Sequence, residues 1–389
     1  MWFSKSFSTR LSLNVLLIVT IFFIVVLGIV AVSSHMLISE EATRSASNIL
    51  KASILDIEKT LQTVESTVKD ASWLVKENSK DEKYLYHITN KVVDENTNII
   101  GSAIAFDSCY FDGRHFFSPY SYEDPETGEL KSKELGSVEN DYFTQEWYVE
   151  PKKSGKPHWS EPYFDAGGGE QMMTTYSYPI KDSTGNIYAI ITADISLEWL
   201  SKKVDDIHPY EHSHSTLISA KGKYLSAGWQ ANMTDETAYS YAEKMDDPRI
   251  LEISKNMLAG DSGTMRYMVD NKLSFAVYGP LSNGWSMAIN CEYRDVLERS
   301  SKMHVVLILV GLIGLLVMFI MCYFKIRQLT QPIKEFSKSA HSIAQGNFNA
   351  QFPKVKSKDE ILTLRDSLEE MQKYIVTYLE QVETATSAK

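Results

Sequence analysis

Cysteine is scarce in this chain, with three in 389 residues: Cys109, Cys291 and Cys322. That excludes a small secreted fold stapled by disulfides, and no paired spacing of a zinc or redox site is present. Buried thiols are the expected state of Cys109 and Cys291, with a bridge between them the alternative in an oxidising compartment. Positive charge is also short: 39 Lys+Arg against 50 Asp+Glu leave a net charge of −11, which argues against a nucleic-acid partner. Catalytic signatures are missing as well. There is no phosphate-cradling loop with a lysine and no kinase or nucleophile-elbow motif. Gly167-Gly168-Gly169 lacks a following helix start and reads as a hairpin tip. No cofactor is expected. His208, Glu211, His212 and His214 lie in a connector marked by proline and serine, where zinc is only a minor alternative.

Long hydrophobic runs, in contrast, are present twice. Residues 15–32 and 305–324 carry no charge and span about 27 and 30 Å as helices, enough to cross a bilayer core. Lys5 and Arg10 precede the first run, Glu40 and Glu41 follow it, and Lys325 and Arg327 follow the second. By the positive-inside rule both termini are cytoplasmic, although Arg299 and Lys302 weaken the contrast. A cleaved signal peptide ending near Ala31-Val-Ser33 is the alternative for the first run, and its length favours an uncleaved anchor. The expected setting is the inner (plasma) membrane, crossed twice, with the region between the spans extracytoplasmic.

That region lacks proline and glycine from residue 40 to 78 and places Ile49, Ile54, Ile57, Leu61, Val64 and Val68 at helical spacing. This predicts a long amphipathic stalk helix. A second helix is expected at 84–95, and strands at 99–106, 114–118, 174–179 and 187–195. A loop tip is expected at 124–128 and a helix at 196–207. From residue 215 the pattern repeats on a smaller scale: a hairpin around Lys221-Gly222, a helix at 248–258, and a meander of strands at 263–269, 273–280 and 285–291. No proline interrupts 293–326, so the last strand is expected to continue through one helix into the second span. Gly311 and Gly314 within it are candidates for a close helix contact.

Beyond the membrane, Ile333, Phe336, Ala340 and Ile343 form one stripe, and Ile361, Leu364, Leu368, Met371 and Ile375 form a heptad seam. Two short stripes joined by a connector need a symmetric partner. A homodimer is therefore expected.

The segment 141–194 holds the residues that a core alone does not require. Trp147, Tyr148 and Tyr163 supply aromatic faces, and Asp165 and Asp194 supply carboxylates. Asp194 ends an apolar strand and must find a partner; it caps the following helix, pairs internally, or faces a pocket. The rings could equally be core, and the aspartates could cap turns.

The order Pro332, Gly346, Asp359-Glu360-Ile361 with both stripes resembles HAMP relay domains over 325–378. That resemblance implies a parallel four-helix bundle in a homodimer. With it in place, residues 36–300 resemble a double Cache sensor, in which the membrane-distal PAS-like module binds ligand. The fold class is then α+β, comprising two tandem PAS-like antiparallel-sheet modules on a long stalk helix, flanked by two transmembrane helices and followed by a HAMP-type parallel coiled coil. The expected domains are a cytoplasmic N-terminus 1–12, span 13–33, stalk 36–80, distal module 81–207, proximal module 208–295, span 303–324, relay 325–378, and a helical linker from 379 toward an output domain.

Trp147-Tyr148, Tyr163-Phe-Asp165 and Ala193-Asp194 resemble the pocket motif of amino-acid- and amine-sensing members. In that motif an arginine two residues before the tryptophan grips the ligand carboxylate, and here that position is Gln145. The resemblance implies a small-molecule ligand, an amine or something amino-acid-like. Receptors of this kind end in a histidine kinase, a diguanylate cyclase, a chemotaxis signalling hairpin or a PPM-type phosphatase, and the short helical tail favours the last by resemblance. The competing classes are a membrane-tethered hydrolase using Asp165, Glu170 and Asp194, and a non-sensing surface protein.

Overall fold

The computed structural model describes residues 7–227, 236–245, 247–355 and 360–387. They divide into two compact units, residues 37–300 and residues 1–36 with 301–389.

The 37–300 unit is built on α1 (Phe7–Glu77). Ala42, Ala46, Leu50, Ile57, Leu61, Val64, Val68, Ala71 and Val75 are buried in one apolar cluster. Steps of three and four residues put them on one face of the helix. Helix α2 (Glu82–Asp94) is capped by the Asp81 side chain and buries Leu85, Ile88 and Val92.

Among the described residues, twelve strands make two antiparallel sheets. The distal sheet comprises β1 (Gly101–Phe106), β2 (Ser118–Glu123), β3 (Leu130–Leu135), β4 (His158–Trp159), β5 (Tyr163–Phe164), β6 (Met172–Lys181) and β7 (Ile187–Ser196), ordered β3-β2-β1-β7-β6-β4 with β5 also on β6. Helix α3 (Glu146–Ser154) follows a 3-10 turn at Tyr142–Thr144, and α4 (Leu197–Asp205) follows β7. The proximal sheet comprises β8 (His214–Ile218), β9 (Tyr224–Ala227), β10 (Gly263–Val269), β11 (Lys272–Pro280) and β12 (Ser286–Glu292), ordered β10-β11-β12-β8-β9. Helices α5 (Ala238–Glu243) and α6 (Pro248–Ala259) precede β10.

Alternation along the strands sends one face of each sheet to α1. Ile104, Phe106, Ile191, Ala193 and Ile195 of the distal sheet join the α1 stripe in one cluster, as do Leu217, Phe275, Val277, Met287 and Ile289 of the proximal sheet. One helix therefore supplies part of the core of both modules. Where they meet, the Trp159 ring lies edge-on to Trp285 at 5.3 Å, and its indole N–H donates to Glu65 of α1 at 2.9 Å.

The strand expected at 114–118 is absent: residues 107–117 form turns, and pairing begins at Ser118, where β2 and β3 make a hairpin around the expected tip at 124–128. Cys109 and Cys291 are both free thiols, and Cys109 is exposed rather than buried because it sits in those turns at φ 62°.

In the other unit, α7 (Tyr293–Ala344) contains the second apolar run, and Pro332 is accommodated inside it. The apolar runs of α1 and α7 both have the length and hydropathy of membrane spans. A side chain at Gly311 would lie 3.1 Å from Leu27, and one at Gly314 would lie 3.6 Å from Phe23, so the two glycines sit against one face of the first span. Gly346, at φ 93°, ends the chain reversal after α7. The connector folds back with the Phe352 ring 6.3 Å from Phe336. Gln372 of α8 (Glu360–Ser387) holds it by donating to the carbonyls of Phe348 and Ala350. Of the acidic pair expected to open α8, Asp359 lies outside the described residues.

Trp285 is 1 % exposed and closes the junction of stalk and modules. Trp285→Ala should cost about 3–5 kcal/mol, read as a lowered midpoint in thermal melts of the full chain. A change within error would mean that the modules do not depend on this contact.

Candidate functional site

The distal sheet's other face carries the site. On β7, Ile190, Thr192 and Asp194 point away from α1. The register sets Gly101 of β1 and Thr175 of β6 on either side of Asp194. Ala103, Ala105, Ser177 and Thr192 continue this floor, so its residues are small. Gly101 is required there, because a Cβ would meet the Asp194 carboxylate and stand 2.5 Å from the Tyr120 hydroxyl.

Asp194 is 4 % exposed. Its Oδ1 accepts from the Thr175 hydroxyl at 2.8 Å, and Thr175 lies 2.8 Å from the Tyr163 hydroxyl. Asp165 stands at the start of the β5–β6 hairpin loop. Its Oδ2 accepts the Gly169 N–H at 2.5 Å and the Tyr120 hydroxyl at 3.4 Å. The Tyr120 hydroxyl also neighbours the Asp194 carboxylate, since both stand within 2.5 Å of where a Cβ on Gly101 would lie, so one buried phenol faces two carboxylates.

No cation forms an ion pair with Asp194 or Asp165 among the described residues. Lys133 is nearest in effect: its ammonium donates to the Gly168 carbonyl at 2.6 Å and moderates Asp165 through space. Burial pushes Asp194 up to about 7, with the Asp165 charge adding and the Thr175 and Tyr120 hydroxyls opposing. Burial also raises Asp165, against the Gly169 N–H. Tyr120 and Tyr163 are held well above the ordinary phenol range, by burial first and then by the two carboxylates.

The structure thus brings Tyr163, Asp165 and Asp194 together, with Tyr120 and Thr175 added. Trp147 and Tyr148, on the first turn of α3, are buried next door in an apolar cluster with Ala105, Tyr142 and Ile190, and Tyr163 packs on its edge. The Trp147 ring stacks on Tyr142 at 6.2 Å. The Tyr148 hydroxyl is committed elsewhere, donating to Asp107, which also pairs with Lys152. Gln145 immediately precedes α3, and its side chain makes no capping hydrogen bond.

The capping alternative fails for Asp194, since Ser196 caps α4, whereas the internal-pairing alternative is met by the Thr175 hydroxyl. Capping holds for Asp165, which closes the Gly167–Gly169 turn. Glu170, the third carboxylate of the hydrolase reading, turns to the Gly167 N–H. In the proximal module, His212 bonds Asp295 through Nδ1 and through its backbone N–H, both at 2.7 Å. His208 lies 3.1 Å from the Asp205 carbonyl. Among the described residues no cluster of three side chains is suited to a metal. The sequence reading missed Tyr120, Thr175 and Lys133; the alternating tyrosines of Ser118–Glu123 were the available signal.

Residues 85–202 match the model of the "Methyl-accepting chemotaxis protein-like, first PDC sensor domain", and residues 324–377 match the HAMP domain. The chain joins a PDC sensor domain to a HAMP domain and is homologous to methyl-accepting chemotaxis receptors. McpB of Bacillus subtilis (strain 168) is 24% identical over 229 residues, 57% of this chain and 31% of McpB. The chain spans about a third to about half of the length of the curated relatives it matches. These relatives are chemotaxis proteins and lend no support to a phosphatase output.

Among solved structures, the periplasmic sensory domain of the Campylobacter jejuni chemoreceptor Tlp1 matches with TM-score 0.55 at 14% identity, covering 67% of this chain and 98% of that one. The ligand-binding domain of Campylobacter jejuni Tlp3, in complex with 4-methylisoleucine, matches with TM-score 0.50 at 14% identity, covering 67% and 94%. Both share the fold of two tandem modules.

An acid whose folded pKa is raised contributes stability that is present below its unfolded value, near 4, and is lost as pH rises through about 7. The melting temperature of the unliganded chain should fall between pH 5 and pH 8. Asp194→Asn should flatten that fall by on the order of a few kcal/mol. Parallel pH profiles for wild type and variant would mean that Asp194 ionises normally.

Proposed function

We propose that this chain is the sensing and relay part of a two-pass membrane receptor that binds a small molecule carrying an ammonium group. Residues 13–33 and 303–324 cross the membrane, 36–300 lie outside the cytoplasm, and both termini lie within it. The carrying observation is the buried Asp194 with the half-buried Asp165 beside it, neither of which forms an ion pair with a guanidinium or ammonium of the described residues. A ligand cation would supply the missing charge, forming charge-assisted hydrogen bonds to Asp194 beside the faces of Tyr120 and Tyr163.

The Tlp3 complex supports a small amphiphilic ligand in this fold. In the resembling motif an arginine holds the ligand carboxylate, and neutral Gln145 offers no such charge. An amine or quaternary ammonium compound is therefore preferred over the parent amino acid. Trp147 and Tyr148 shape the wall from behind, with the Tyr148 hydroxyl fixed on Asp107.

Calorimetry on the full chain in nanodiscs tests this with isoamylamine against leucine. The amine should bind more tightly at pH 7.5, lose affinity as pH falls below about 7 because Asp194 takes up a proton, and lose binding in Asp194→Ala. Gln145→Arg should shift preference toward leucine. Tight binding of isovalerate with no amine binding would defeat the proposal.

The relay is proposed to work as a homodimer of parallel helices. Leu364 is 44 % exposed and Met371 43 % on α8 of the single chain, an apolar seam that a second copy would cover. Cysteines at Leu364 or Met371 should crosslink efficiently in membranes and one at Lys373 poorly; the reverse ranking would place the seam elsewhere.

A further inference from the structure

The proximal module holds a half-open cavity of about 190 Å³ between its sheet and helices α5 and α6. Alternation on β8 and β12 sends Thr216 and Ile218, and Ala288, Asn290 and Glu292, to this side, away from α1. Ile218, Ile253 and Met257 make its apolar wall. Two buried polar atoms on its lining, Thr216 Oγ1 and Glu292 Oε2, have no hydrogen-bond partner among the described residues.

Thr216 is 5 % exposed. A buried hydroxyl without a partner costs about 1–3 kcal/mol, and folded proteins rarely leave one unless something meets it. Glu292 is not bare of charge compensation, since its Oε1 takes the Lys272 ammonium at 3.0 Å. Asn290 accepts from the Tyr267 hydroxyl at 2.9 Å. Asp270 and the paired Glu292 and Lys272 are the charged residues on the cavity's lining, and the pair balances its own charge; burial lowers His214 to about 4, with the Glu292 charge opposing, and raises the Tyr267 phenol. Its volume slightly exceeds that of an engineered cavity known to hold benzene, about 150 Å³.

We infer that the proximal module holds a second small-molecule site, which takes a neutral molecule with an apolar body of about benzene size and one hydrogen-bonding head. The body sits against Ile218, Ile253 and Met257, and the head meets the Thr216 hydroxyl and the open Glu292 oxygen. This site is chemically distinct from the proposed distal one, where Asp194 has no ion-pair partner among the described residues.

The test is calorimetry on the full chain in nanodiscs, with empty-disc heats subtracted and Asp194→Ala as the background to silence the distal acid. Benzyl alcohol and benzamide are the neutral probes; benzylamine and benzoate are their charged counterparts. The neutral probes should bind saturably and the charged ones at least tenfold more weakly. Thr216→Val, which keeps the shape, should weaken binding about three- to tenfold, and Ala288→Leu, which fills the floor, should abolish it. Absence of saturable binding by both neutral probes, tighter binding of either charged probe, or neutral binding unchanged by Thr216→Val would overturn the inference. The Thr216→Val result decides the matter if Ala288→Leu fails to fold.

Discussion

The extracytoplasmic fold depends on one apolar stripe. Both sheets of the 37–300 unit need something to cover one face, and the single face of α1 from Ala42 to Val75 covers part of both. Each fully buried aliphatic side chain on it contributes about 1.5–3 kcal/mol. Because one rigid element serves both cores, a shift of either sheet along the helix must disturb packing shared with the other.

The consequence for function lies on the uncovered faces. Period-2 alternation that turns Ile191, Ala193 and Ile195 toward the helix necessarily turns Thr192 and Asp194 the other way. Small neighbours on β1 and β6 leave room for the Asp194 carboxylate and the Tyr120 ring to meet over the floor, and the β5–β6 hairpin brings Asp165 beside them. The same helix that carries Trp147 carries Glu146, whose carboxylate takes the Lys221 ammonium of the proximal module at 2.7 Å. Glu161 nearby takes the Ser219 hydroxyl at 2.5 Å. A ligand that reset α3 would therefore pull on the proximal hairpin through these polar contacts.

Much of this was legible in the sequence because it is periodic. The α1 stripe, the apolar run of β7, the proximal meander and the two heptad stripes each announce themselves within one segment. Strands β2 and β3 did not: the expected strand at 114–118 stops where β2 begins, and the Lys131–Glu134 charges of β3 carry no apolar alternation, so these strands are legible only once paired at the sheet edge. The chemistry of the site was visible as residue types, but its arrangement was not. Asp165 and Asp194 meet only through the β5–β6 and β6–β7 registers, and nothing local reveals that Tyr148 spends its hydroxyl on Asp107, 41 residues away. Thr216 was similarly invisible as an unpaired group, since an unmet hydrogen bond is a property of packing.

The central claim is that Asp194 is largely protonated without ligand near pH 6 and gives up its proton when a cation binds beside it. Infrared difference spectroscopy of the full chain at pH 6 reads this directly. The account predicts a carboxylic-acid carbonyl band that disappears in Asp194→Asn and bleaches, with a matching carboxylate gain, when isoamylamine is added to the wild type. A spectrum without that band, or one in which amine binding leaves it intact, would contradict the account.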